Sequence, residues 1–115
     1  MSRKADVVLL CEDKQHECFF RRLLTRLGYH PRRITVRPYP RGAGSGKAFV
    51  TSKFAVEVRE QRARCSRMNC VLVTATDADE MTVDRRYQQL LGQLDRPRTP
   101  EERIAIFIPK WEIET

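Results

Sequence analysis

The chain has 115 residues, 41% of them hydrophobic and 32% charged, with a net charge of +7 and a pI near 9.7. A chain of that length forms one core burying roughly two-thirds of its unfolded surface, and apolar residues gathered in short blocks argue against disorder. No apolar run approaches the roughly 20 residues that a membrane span requires, and the Met-Ser-Arg-Lys start shows no signal-peptide cleavage site, so one cytoplasmic domain over 1–115 without a membrane partner is expected.

Asp6 to Cys11 is a continuous apolar run ended by Glu12-Asp13, the pattern of a parallel strand covered on both faces. From Lys14 to Leu27, Phe19, Phe20, Leu23, Leu24 and Leu27 recur at three-to-four spacing, with Arg21, Arg22 and Arg26 between them and Gly28 as a cap. This predicts an amphipathic helix. Ile34 to Arg37 alternates like a short edge strand, closed off by Pro38 and Pro40. A glycine-rich loop, Pro40 to Lys47, precedes a helix over Ala48 to Arg64 with an imperfect apolar register and Lys53, Arg59, Arg62 and Arg64 exposed.

Cys70 to Ala75 is the second strong buried strand and ends in Thr76-Asp77-Ala78-Asp79-Glu80. Val83, Tyr87, Leu90, Leu91 and Leu94 then form the clearest helical stripe of the chain. Thr99-Pro100-Glu101-Glu102 has the composition of a capped helical turn, with the glutamates as capping groups, and Ile104 to Ile108 is the last buried strand. The order β-α-β-α-β-α-β predicts an α/β fold: an open, mainly parallel four-stranded sheet with helices on both faces.

Cys11, Cys18, Cys65 and Cys70 match no paired zinc spacing and read as small buried hydrophobes in a reducing compartment. His16 and His30 read as a solvent-facing helix residue and a loop residue. Residues 1–64 carry 15 Lys/Arg against 6 Asp/Glu, whereas residues 65–115 carry 7 against 9. That asymmetry suggests a phosphate-bearing partner, nucleic acid, for the amino-terminal half.

The placement of acids is the most informative feature. Ligands of open parallel sheets bind at the carboxyl ends of the strands, and Glu12-Asp13, Asp77-x-Asp79 and Glu112-x-Glu114 all follow strands. Asp77 and Asp79, two apart in extended chain, point the same way. Two carboxylates about 4 to 5 Å apart repel by roughly 3 to 4 kcal/mol at an effective dielectric near 20, which a bound cation offsets. Carboxylates without nearby His or Cys favour hard ions such as Mg²⁺. Helix capping by Asp79 or Thr82 is the competing explanation.

With Glu12 in Leu-Leu-Cys-Glu-Asp and Asp77 and Asp79 in Val-Thr-Ala-Thr-Asp-Ala-Asp, the chain resembles the Toprim domain of topoisomerases, primases and overcoming-lysogenization-defect nucleases. The resemblance extends especially to small bacterial Toprim-like proteins found in or near phage-defence loci. The resemblance implies Mg²⁺ or Mn²⁺ bound by Asp77 and Asp79, with Glu12 as general acid/base or further ligand in phosphodiester chemistry, Glu17 as a second acid, and Glu114 closing the cluster. A metal-dependent nuclease in antiviral defence is the implied activity, with a partner ATPase or another defence-complex subunit and a dimer compatible with it. Ile113-Glu114 resembles the start of an Ile-Glu-x-Trp stretch whose Trp would be residue 116, so a carboxyl-terminal truncation is expected. Asp13 stands where many Toprim domains have Gly.

Arg41, Lys47 and Lys110 are the candidate phosphate contacts. Gly42-Ala-Gly44-Ser-Gly46-Lys47 departs from a nucleotide-binding P-loop, since Arg41 replaces its first Gly and Ala48 its Ser/Thr. Two alternatives stand beside the nuclease: a catalytically silent regulatory subunit of a defence complex, and a phosphoacceptor receiver with Glu12-Asp13 as the acidic pair, Asp77 as acceptor and Lys110 as its lysine.

Overall fold

In the computed structural model, which describes residues 5–39, 46–65, 69–77 and 82–108 (the side chains of 46, 47 and 65 excepted), the run Asp6–Leu10 forms β1. Lys14–Arg26 is α1, Ile34–Val36 is β2, Gly46–Cys65 is α2, Cys70–Ala75 is β3, Val83–Leu91 is α3 and Ile104–Phe107 is β4. The four strands form one sheet in the order β2-β1-β3-β4, every pair parallel. The α/β architecture expected from the sequence is the one observed.

Alternation along the strands divides the core into two. Val7, Leu9, Cys11, Val73 and Ala75 face α1, where Phe20 and Leu24 cover them. Val8, Leu10, Leu72 and Ile104 face the opposite way, under Val50, Phe54 and Val58 of α2 and Leu90 of α3. Helices on both faces explain why β1 and β3 read as unbroken apolar runs. Each of the large side chains so buried contributes about 1.5–3 kcal/mol.

The helices correct several expectations. In α1 the buried positions are His16, Phe20 and Leu24, four apart, whereas Phe19 and Leu27 are 58% and 50% exposed. The helix is therefore rotated from the purely apolar stripe, and His16 is buried rather than solvent-facing. Gly28, at φ 105°, ends it in the left-handed conformation that favours glycine. The imperfect register of α2 has a polar cause: Glu57 and Gln61 are buried among its apolar residues. Gln61 donates from Nε2 to the Cys70 carbonyl at 2.9 Å, so an amide closes the base of the sheet. α2 also starts earlier than predicted, at Gly46.

Arg62 and Arg64 are half-buried, not exposed, because both lie across neighbouring polar groups. Arg62 pairs with Glu102, whose Oε1 also accepts from the Thr99 amide at 2.9 Å; the expected turn over 99–102 is thus closed by a capping glutamate that doubles as an ion-pair partner. In α3 the buried residues are Arg86 and Leu90, while Val83 is 38% exposed. β4 is an edge strand, with only Ile104 buried within it, so its apolar sequence is not matched by cover on both faces. Cys11 and Cys70 are buried as expected, but Cys18 is exposed.

Candidate functional site

The strand order places the chain reversal between β1 and β3. The connection from β1 leads to β2 on one side, the connection from β3 leads to β4 on the other, and the crevice between such diverging loops is where α/β sheets bind ligands. Glu12 leaves β1 there and Asp77 leaves β3. Their strands run in register, Leu10 opposite Thr74, so the two loops emerge side by side.

Glu12 is buried, and its Oε2 accepts two hydrogen bonds, from Thr76 Oγ1 at 2.6 Å and from the Asp77 backbone N–H at 2.8 Å. Both donors belong to the loop after β3. The carboxylate thus ties the two strand ends together, with Oε1 accepting no hydrogen bond from the described residues. Thr76 is itself fixed by its N–H to the Phe107 carbonyl at 3.1 Å, which extends the β3–β4 ladder to the site.

Asp13, the other acid after β1, does different work. Its Oδ1 accepts from the His16 N–H at 2.9 Å, making it the N-cap of α1. This cap fixes the first turn so that the His16 ring, 4% exposed, reaches across to the loop after β3, where its Nε2 lies 3.3 Å from Asp77 Oδ1. Phe20 meets the ring edge-on, with centroids 6.4 Å apart. His16 Nδ1 is buried and has no hydrogen-bond partner among the described residues.

Of the predicted site residues, Glu12 and Asp77 are brought together. Asp79, Glu114, Arg41 and Lys110 lie outside the described residues, and Lys47 lies in the first turn of α2 with its side chain outside them. α3 is capped by Thr82, whose Oγ1 accepts from the Arg85 N–H at 3.1 Å; capping therefore makes no demand on Asp79. Glu17 is committed elsewhere, accepting from Tyr39 Oη at 2.7 Å and Arg21 Nε at 3.0 Å. The Tyr39 hydrogen bond, then Arg21, holds Glu17 below the usual carboxylate range, while burial and Glu17 push the Tyr39 hydroxyl up to about 12. Beneath the site, burial followed by the charge of Glu17 pushes the Cys11 thiol up to about 12, so it is no nucleophile at neutral pH.

Sequence reasoning missed three residues here. His16 was visible as the position four before Phe20 and eight before Leu24 on one helical face. Thr76 had no signal beyond adjacency to Asp77. Arg86 sits four before Leu90 and is 5% exposed, with Nη1 donating to Gln89 Oε1 at 2.6 Å and Nε without a partner. Thr74 Oγ1, on the same side of the sheet by strand alternation, is also buried without a partner.

Among the described residues, no three His, Cys, Asp or Glu side chains are grouped closely enough to hold an ion unaided. Glu12 and Asp77 are carboxylates of the kind Mg²⁺ takes, one or two at a time, with waters and substrate phosphate completing its shell. Also among the described residues, no helix is long and apolar enough to cross a membrane. Comparisons with protein-family models, with curated proteins and with solved structures gave no match.

Proposed function

We propose that this domain is a Toprim-like, Mg²⁺- or Mn²⁺-dependent enzyme that processes nucleic-acid phosphodiesters in the cytoplasm, within a defence system. The observation that carries this is the coupling of Glu12 to the Asp77 loop at the β1/β3 reversal, through the 2.6 Å and 2.8 Å hydrogen bonds. Asp77 and Asp79 would hold the ion, with Glu12 and Glu114 beside them. When bound, the ion supplies charge stabilisation at the phosphoryl oxygens and a more acidic water.

The chain's own residues do the rest. Thr76 and the Asp77 amide fix Glu12 so that Oε1 is the oxygen available to take or return a proton. Arg41, Lys47 and Lys110, with the exposed Arg22, Arg26 and Lys53 of α1 and α2, supply positive charge for a phosphate backbone.

A second reading, a silent regulatory subunit, is favoured by one observation: Glu12 Oε2 is already saturated by two donors, as in a structural clip. A receiver role is weakened because Asp13 is committed to capping α1, leaving a single acid of the required pair.

The test is cleavage of plasmid DNA and of RNA with Mg²⁺ or Mn²⁺ by wild type and Asp77→Ala. The enzyme predicts metal-dependent cleavage that drops about 10²-fold or more in the variant. Silence with both metals and retained nucleic-acid binding supports the subunit, and labelling of Asp77 by acetyl phosphate supports the receiver.

A further inference from the structure

We infer that His16 is the positioning residue for Asp77: its Nε2–H donates to Oδ1 and sets the carboxylate for the divalent ion, an inference that rests on the metal-dependent reading above. An ionised carboxylate only accepts, so the proton of this 3.3 Å contact belongs to Nε2. In a neutral ring Nδ1 is then a bare lone pair. That suits its surroundings, since Nδ1 is buried without a partner and a buried N–H left unpaired is rarer and costlier than an unpaired acceptor.

The same point argues against His16 as a ligand. Metal-bound imidazole carries its proton on the other nitrogen and almost always donates it to a carbonyl or carboxylate, and Nδ1 faces neither among the described residues. Nor do Glu12, His16 and Asp77 form a three-ligand group.

The ring is built into place from three sides. Asp13 accepts its backbone N–H at 2.9 Å, Phe20 meets its edge at 6.4 Å between centroids, and the helical face that buries it is shared with Phe20 and Leu24. A buried polar ring with one empty nitrogen is a poor choice for packing alone, because an apolar side chain would fill that space without the desolvation cost. Its one side-chain hydrogen bond among the described residues goes to Asp77. Such supporting contacts are worth about 10- to 100-fold in metal affinity.

The experiment uses the full chain and Mn²⁺ alone as probe, followed by calorimetry, beside thermal melting. His16→Phe keeps the packing and removes the donor: its melting temperature stays at or above wild type while Mn²⁺ affinity falls about 10- to 100-fold. His16→Gln places an amide N–H near the position of Nε2 and restores most of the affinity; His16→Asn, with the same chemistry but shorter reach, does not. If His16→Phe does not fold, the Gln and Asn pair decides alone. Wild-type affinity in His16→Phe, or equal affinity in His16→Gln and His16→Asn, overturns the role of His16 while leaving the metal site standing. A wild type that binds no Mn²⁺ overturns both.

Discussion

Two partly buried polar clusters in this small domain are built on opposite terms. At Arg62 and Glu102 the groups are well satisfied: Nε and Nη2 donate to the carboxylate, Nη2 also reaches the Arg96 and Pro97 carbonyls, and Glu102 further accepts from the Thr99 amide. At Glu12 and His16 the hydrogen bonding is incomplete: His16 meets Asp77 through a 3.3 Å contact, and its other ring nitrogen has no partner among the described residues. The first cluster pins the segment before β4 onto α2. The second leaves polar capacity unused at the carboxyl edge of the sheet, where a ligand can take it up.

Breaking the saturated cluster should give the largest stability effect. Arg62→Met leaves Glu102, 18% exposed, without its ion partner, and is expected to cost about 3 kcal/mol in urea unfolding, with little change in metal affinity. Thr76→Val sharpens the contrast from the other side. It removes the 2.6 Å donor to Glu12 and is expected to cost about 1–2 kcal/mol, while weakening Mn²⁺ binding more than Arg62→Met does. A clip with no metal role would show the stability loss alone.

The smallest effect is one of pH. Arg62 above all, then the Thr99 amide, holds Glu102 below the usual carboxylate range against the opposing cost of burial. A depressed folded pKa contributes stability that is complete above the unfolded value, about 4.3, and is lost as pH falls through the lower folded value. The stability gap between wild type and Glu102→Gln should therefore be widest near neutrality and narrow below about pH 4, as melting curves across that range would show.

Much of the fold was legible because its signals are local. Buried runs ending in acids marked β1 and β3, Gly28 marked the end of α1, and Thr82 was one of two candidate caps for α3. Glu12 and Asp77 could be picked out as strand-end acids, but their adjacency depends on β1 pairing with β3, a contact across more than sixty residues that no local pattern encodes. His16, Gln61 and Arg86 were misjudged or passed over for a common reason. Polar residues on a buried helical face carry the same spacing as apolar ones, and a stripe read by hydrophobicity alone rotates the helix away from them. The exposed Phe19 and Leu27 are the visible consequence.

The central claim, that the β1/β3 edge holds a divalent ion through Asp77, is tested most directly by calorimetric titration of Mn²⁺ into wild type and Asp77→Asn. The substitution keeps the backbone N–H that Glu12 accepts and the side-chain shape, while removing the charge and exchanging one acceptor oxygen for an NH2 group. The account predicts saturable binding in wild type, weakened about tenfold or more in the variant at an unchanged melting temperature. Equal binding by the two proteins would contradict it.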